Sequence, residues 1–399
     1  MTAPDFIRAT LLDLRAGSLY RHLTAIGSAA GPRVRVGGRE VLQFASNNYL
    51  GLANDPRVCE AARCAIDRWG WGAGASRLVA GHTDAHAALE ADLAAFKHAE
   101  AALVFPTGYL TNLGVISALV GRGDTVVSDR GNHASITDAV RLSGAGLARY
   151  AHADAAAASG ALAKHAGRPG RRMIVTDTVF SMAGDLAPLA VLADLARQSG
   201  AMLVLDEAHA TGILGPTGAG LAEAVDAESP GTSDAVTAGV GTLSKALGGI
   251  GGFVTGSREV CDLLINRARP FIYTTALPAA ACEAAREALR IVREEPARRR
   301  RVLDLAAYLR RRLREEGFDT GASATPIVPV MVGDPARALA MAGQLLERGI
   351  FCPAIRPPTV PPGTSRLRVS LTAEHTEEDV ERLVAGLQES AEWRVRNAE

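Results

Sequence analysis

Between about residue 100 and residue 256 the chain alternates short apolar runs with windows in which apolar residues recur every three or four positions. The runs at 102–105, 125–128, 173–176, 202–205, 235–239 and 252–255 predict buried strands, and the windows between them predict helices. That alternation is the pattern of a mostly parallel sheet covered by helices. Several runs end on a polar residue, which lands at the carboxyl edge where open α/β sheets bind ligands. Ahead of this block, residues 1–42 predict a helix with Ile7, Leu11, Leu14 and Leu19 on one face, then short strands around Val34 and Val41. So small a segment buries no core of its own and must pack on the body or on a second subunit. Residues 69–96 start as a glycine-rich loop and turn helical from about His82. From about Ala285 the character changes: strands at 327–332, 351–355 and 367–371 are separated by two helices. One helix is opened by Asp334-Pro335 and stopped at Gly349, and the other carries Thr376 and Asp379 at capping-box spacing. The expected organisation is an N-terminal arm (1–50), a large α/β domain (51–284) and a smaller α+β domain (285–399).

Composition narrows the class. The 399 residues carry 43 basic and 43 acidic side chains, and 48% are hydrophobic. The arginine runs at 298–301 and 310–312 lie in helical windows and predict solvated helix faces, so no nucleic-acid arm is expected. No apolar run reaches the ~18 residues of a membrane span. The first residues lack a signal-peptide pattern, and Cys59, Cys64, Cys261, Cys282 and Cys352 form no paired spacing, which points to the reducing cytoplasm rather than a disulfide framework or a zinc site.

Only three of the 43 basic residues are lysines, and one, Lys245, sits among small residues in "TLSKALGG". A partly desolvated amine is nucleophilic and forms Schiff bases, which a guanidinium cannot. A structural lysine with a packed stem fits those neighbours equally well. In "FPTGYLTN", Gly108 and Tyr109 stand between a strand and a helix, where backbone N–H groups and the helix dipole suit a phosphate. Neither a dinucleotide fingerprint nor a GxxxxGK[ST] loop is present. In "LVLDEAHATG", Asp206 closes an apolar strand and His209 follows, so the carboxylate needs a partner. His133 and Ser181 also fall just beyond predicted strands. In "TSRLRVSL", Arg366 and Arg368 share a face by period two, and either can hold a carboxylate through two parallel bonds. An amine, an anion site and a carboxylate able to pair with a pyridinium nitrogen are the three handles pyridoxal phosphate requires.

The motifs "GAGASRLVAGHTDAH", "FPTGYLTN", "DRGNHASI", "DTVFSMAGD", "DEAHATGILG", "TLSKALGG", "IYTTALP" and "IRPPTVPPGTSRLR" occur in the order found in the α-oxoamine synthases. Over nearly its whole length the chain resembles that family. These are fold-type I pyridoxal-phosphate enzymes that condense an acyl thioester with an amino acid and release carbon dioxide. The resemblance implies an α/β fold-type I transferase, with a large domain on a mostly parallel seven-stranded sheet and a smaller α+β C-terminal domain. It implies that Lys245 tethers the cofactor and carries the α-proton, that Gly108, Tyr109 and Thr242 bind its phosphate, and that His133 stacks on the ring. Asp206 then pairs with the ring nitrogen, His209 bonds the phenolic oxygen, and Ser181 lines the pocket. For substrate it implies Arg368 on the amino-acid carboxylate with Asn47 and His133 nearby, and Arg21 and Thr359 further out. Thr274 and Thr275 are implied to reach the neighbouring subunit's phosphate in a homodimer. The last motif looks most like members that join L-alanine to a pimeloyl thioester, with coenzyme A and acyl carrier protein both open as the donor's carrier. Relatives that use glycine or serine, and a non-catalytic binder of the cofactor, are the competing expectations.

Overall fold

The computed structural model describes residues 3–390. Its strands are β1 (Arg33–Val36), β2 (Arg39–Gln43), β3 (Ala101–Phe105), β4 (Thr125–Asp129), β5 (Gly146–Tyr150), β6 (Arg172–Asp177), β7 (Met202–Asp206), β8 (Val236–Thr242), β9 (Gly252–Gly256), β10 (Ile327–Gly333), β11 (Ile350–Phe351), β12 (Ala354–Ile355) and β13 (Ser365–Ser370). The chain divides into two compact units. The larger comprises Asn48–Ser181 and Leu186–Arg300; the smaller comprises the residues up to Asn47, Met182–Asp185 and those from Arg301 onward.

In the larger unit, seven strands form one sheet in the order β3-β9-β8-β7-β6-β4-β5. All neighbours are parallel except β9, which runs antiparallel to both β3 and β8. The central strands are continuous apolar runs, with Val126, Ile174, Val175, Leu203 and Val204 fully buried. A sheet covered by helices on both faces requires that pattern. Burying each such side chain contributes roughly 1.5–3 kcal/mol. β5 does not figure among the expected strands. It is the edge strand at the β4 end of the sheet, paired only to β4, and unlike β3 at the other edge it is mostly half-exposed or exposed, so "GLARY" carries no apolar run to betray it. The helix Ala279–Glu294 buries Ala285, Leu289 and Val292 and packs on the helices Pro56–Trp69 and Asp84–Phe96. The break between units therefore falls after Arg300 rather than near residue 285.

In the smaller unit, β1, β2 and β11 form one sheet and β10, β13 and β12 another. The first 47 residues belong here because β2 pairs in parallel with β11 and Ser370 donates its N–H to the Phe44 carbonyl. The single strand expected at 351–355 is two short ones in different sheets. Pro353 lies between them and brings no N–H to a continuous ladder. The helices Pro335–Glu347 and Glu377–Gln388 start as their caps predict: Asp334 accepts the Arg337 N–H, and Thr376 and Asp379 form a reciprocal capping box. The N-terminal helix Ala3–Ala16 buries no residue, and Phe6, Ile7 and Leu12 on it are exposed.

The arginine runs depart from a simple solvated face. Arg299 is buried, with Nη1 donating to the Val292 carbonyl (2.6 Å) and Nη2 to that of Pro216 (3.0 Å). Arg312 Nε reaches Glu381 Oε1 at 2.8 Å. A long side chain on a helix flank covers apolar surface and caps stray carbonyls as readily as it meets water. All five cysteines are free thiols. Among the described residues, no helix is long and apolar enough to cross a membrane.

Candidate active site

The carboxyl ends of β4, β6, β7 and β8 lie along one edge of the large sheet, where the helix Gly108–Leu119 also begins after β3. A cavity of about 230 Å³ opens there, within the larger unit. Its lining includes Gly108, Tyr109, His133, Ser181, Asp206, His209, Thr242 and Lys245. Eight of the ten cofactor residues implied by family resemblance thus meet in one place, Thr274 and Thr275 being the two that do not.

One part of the lining is a helix N-terminus, whose free N–H groups suit an anion. Thr107 caps the helix, accepting the Leu110 N–H at 3.1 Å. Two glycines let that helix end press against the sheet. A Cβ on Gly252 would sit 2.6 Å from the Gly108 nitrogen, and one on Gly108 would close to 3.4 Å from Thr242 Oγ1. A side chain at Gly252 would collide with the first residue of the helix, so the glycine there lets the helix N-terminus seat against the sheet. Thr242 Oγ1 donates to the Gly251 carbonyl (2.8 Å) and meets Ser244 Oγ at 2.8 Å. Ser244, an exposed hydroxyl on the same lining, is a further polar group there, and an isolated serine beside a lysine carries no signal of its own in the sequence.

Another part of the lining is acidic. Asp206 closes β7, with Oδ2 accepting from Asn112 Nδ2 at 2.6 Å and Oδ1 from the Ala208 N–H at 2.9 Å. Asn112 Nδ2 also donates to Ser135 Oγ (2.9 Å), while its Oδ1 is buried with no hydrogen-bond partner. Asp177 stands in register with Asp206 on β6. Burial, reinforced by the Asp206 charge, pushes the Asp177 carboxyl well above the ordinary range. Its Oδ2 accepts the His133 N–H (3.1 Å), and its Oδ1 is buried and unpartnered. Asn112 and Asp177 were both missed. Asp177 ends a predicted strand just as Asp206 does, so the same reasoning reaches it; Asn112 is a polar residue on an otherwise apolar helix face.

His133 caps the helix Ala134–Ser143 and its Nδ1 lies 2.7 Å from Ser135 Oγ. Desolvation by the surrounding walls lowers its pKa, against the opposing pull of Asp206. That shift favours the neutral ring, and His133 lines the cavity. Tyr109 meets it edge-on, with centroids 6.4 Å apart, and donates its hydroxyl to Asp138 Oδ2 at 2.5 Å. His209 follows Asp206 in a tight turn, its Nδ1 2.7 Å from the buried Tyr49 hydroxyl.

Thr274 and Thr275 lie elsewhere in the same unit, beside a small cleft with Arg77, His86 and Phe271. In the smaller unit, Arg368 donates from Nη1 to Ser370 Oγ (2.7 Å) and from Nη2 to Asn47 Oδ1 (3.1 Å). Arg366 is spent on main-chain carbonyls, those of Thr364 (3.0 Å) and Met182 (3.3 Å). Arg21 Nη2 reaches Thr359 Oγ1 at 3.4 Å and the Pro357 carbonyl at 3.2 Å.

The donor set fits pyridoxal phosphate: an open helix N-terminus flanked by hydroxyls for a dianion, a buried carboxylate for a ring nitrogen, a flat imidazole and a lysine on one cavity wall.

Comparison with known proteins agrees. The aminotransferase class I and II family matches residues 39–387. The 8-amino-7-oxononanoate synthase of Anaeromyxobacter dehalogenans is 53% identical over 385 residues, covering 96% of this chain and 95% of that protein. A structure of a single-substitution variant of serine palmitoyltransferase from S. paucimobilis, with a bound PLP–myriocin aldimine, is 31% identical, with a TM-score of 0.90 over 99% of this chain and 98% of that one. A crystal structure of the 8-amino-7-oxononanoate synthase of Francisella tularensis is 26% identical, with a TM-score of 0.74 over 90% of this chain and 98% of that one.

Proposed function

Because this chain belongs to the aminotransferase class I and II family, as an α-oxoamine synthase, we propose that it condenses L-alanine with a pimeloyl thioester to give 8-amino-7-oxononanoate. The observation that carries this reading is the 53% identity to a synthase of that name across 96% of the chain. The fold likeness to serine palmitoyltransferase reports the shared scaffold at 31% identity.

When bound, pyridoxal phosphate supplies an aldehyde for an amine to capture and a ring that withdraws electrons from the α-carbon of the amino acid. The residues of the chain divide the remaining work. The Gly108 and Tyr109 amides, with Thr242 and Ser244, hold the phosphate. His133 covers the ring face, and Ser181 completes the cavity wall. Asp206, fixed by Asn112 and the Ala208 N–H, keeps a proton on the ring nitrogen. His209 serves the phenolic oxygen. Lys245 is the tether and the base that removes the α-proton and later returns one. Arg368 with Asn47 holds the amino-acid carboxylate, and Arg21 with Thr359 contacts the acyl substrate. When the α-carbon joins the acyl carbonyl, the C–S bond breaks and the carrier thiol leaves; the β-keto acid so formed then loses its carboxyl group as carbon dioxide, and the α-carbon takes a proton in its place.

The working form is a cytoplasmic homodimer in which Thr274 and Thr275 serve the partner's phosphate. Trp71, Val79, Ile250 and Tyr273 are exposed apolar residues of the larger unit, and such surface is a liability unless a second copy covers it. Light scattering at micromolar concentration distinguishes a dimer of about twice 41.6 kDa from a monomer. Turnover assays pairing alanine, glycine and serine with pimeloyl, acetyl, succinyl and palmitoyl thioesters test the specificity. Alanine with pimeloyl-CoA or pimeloyl carrier protein is expected to lead, and a preference for another pair overturns the assignment.

A further inference from the structure

We infer that Tyr49 is a positioning residue for His209: its hydroxyl donates to His209 Nδ1 and so makes the other ring nitrogen, Nε2, the hydrogen-bond donor presented to the cavity. The hydroxyl and Nδ1 are 2.7 Å apart, the ring centroids 6.0 Å apart, and the planes tilted by 52°. Both residues are buried. His209 lines the cavity and Tyr49 lies outside that lining. A neutral imidazole has one donor and one acceptor nitrogen, and the partner of one decides the role of the other.

Both rings are held from their backbones. On the tyrosine side, Asn48 Oδ1 accepts the Ala53 N–H at 3.0 Å, and Arg298 Nη1 donates to the Leu50 carbonyl at 3.0 Å. These contacts bracket Tyr49 and fix its turn. On the histidine side, Asp206 Oδ1 holds the Ala208 N–H, and the Glu207 N–H donates to the Val240 carbonyl at 2.7 Å. The pair is therefore preset before any ligand arrives, as a group working by hydrogen-bond donation requires.

The inference rests on the reading that His209 serves the phenolic oxygen of pyridoxal phosphate. A donor beside that anionic oxygen stabilises the anion and lowers the proton affinity of the Schiff-base nitrogen next to it. Removing the Tyr49 hydroxyl lets the imidazole turn its proton to Nδ1 and withdraw the donor.

Three measurements on the holoenzyme test this. Nitrogen-15 spectra of histidine-labelled wild type, with the His209 signal identified by its loss in His209→Asn, read the tautomer directly. A proton on Nε2 is expected, and a proton on Nδ1 overturns the proposal even where a Tyr49 variant does not fold. Tyr49→Phe is expected to raise the pH midpoint of the visible cofactor band by about one unit, the size of one hydrogen bond to a charged group. In a His209→Asn background the same change is expected to add nothing; an equal shift in both backgrounds overturns the proposal. Should His209→Asn alone leave the midpoint unmoved, the role of His209 toward the phenolic oxygen fails, and the tautomer still judges the Tyr49 bond.

Discussion

Asp206 and Glu207 are consecutive and both buried, yet their surroundings leave them different things to do. Glu207 is closed: Lys97 Nζ, itself buried, sits on Oε2, and Oε1 accepts the Ala222 N–H at 3.1 Å. The same ammonium donates to the Ala219 carbonyl and lies 3.4 Å from Thr211 Oγ1. Asp206 is held by neutral donors, an amide and a backbone N–H, at the wall of a cavity. A carboxylate saturated by a buried cation spends its charge on the fold. One held by neutral groups keeps its charge for a cationic ligand atom. The lysines divide in parallel: Lys97 in the closed pair, Lys245 on the cavity wall, and Lys164 exposed at a helix end.

The largest effect that could break this contrast belongs to Lys245. Lys245→Ala is expected to cost on the order of 10²- to 10⁴-fold in kcat, the scale of a lost general base, while the unfolding midpoint stays near that of the wild type. Retained condensation of alanine with a thioester would remove Lys245 from the mechanism. Lys97→Ala should behave in the opposite way, lowering stability by roughly 3–5 kcal/mol because Glu207 is left charged and buried. Denaturant unfolding measures this, and the double change Lys97→Met with Glu207→Leu is expected to recover most of the loss. If Lys97→Ala left stability untouched, the closed pair would not be structural.

How far the sequence could see follows the same division. Asp206, His133, Lys245 and Gly108 sit at strand ends or helix starts, where the chain itself dictates the position, and their short motifs carry the signal. The central strands were legible for a similar reason, since burial on both faces writes an unbroken apolar run. Asn112 and Tyr49 reach the site through contacts with residues 94 and 160 positions away, and no local pattern encodes such a contact. β5 was hidden by its edge position. Period two gives Arg366 and Arg368 the same face, so the residues themselves leave the choice between them open; what differs is their partners, main-chain carbonyls for Arg366 and the side chains of Ser370 and Asn47 for Arg368.

A third buried titratable group extends the contrast to pH. His86 donates from Nε2 to the Leu277 carbonyl (3.0 Å), while Nδ1 accepts from the Thr83 N–H (3.3 Å) and meets its hydroxyl at 2.8 Å. Burial, with the Arg77 and His82 charges nearby, lowers its pKa from 6.5 to about 4. As pH falls, the unfolded chain takes up this proton first. The contribution of His86 to stability is thus complete above about pH 6.5 and is lost toward pH 4, at most about 3 kcal/mol. His86→Gln should flatten the decline of unfolding free energy over that window. Equal slopes in the two proteins would mean that His86 does not carry the acid sensitivity.

The smallest effect distinguishes the two arginines of β13, both buried. Arg366 donates to main-chain carbonyls, which a fold needs satisfied whatever the ligand, whereas Arg368 is set by the side chains of Ser370 and Asn47. A lysine keeps the charge but not the planar fork that grips a carboxylate through two bonds. Arg368→Lys is therefore expected to raise KM for alanine by about 10- to 100-fold, the worth of one charge-assisted bond, with little change in the unfolding midpoint. Arg366→Lys should lower that midpoint by a few degrees and leave KM for alanine within about twofold, since its lost bonds lie in the protein itself. An exchange of these two outcomes would move the carboxylate to Arg366 and make Arg368 the structural cation.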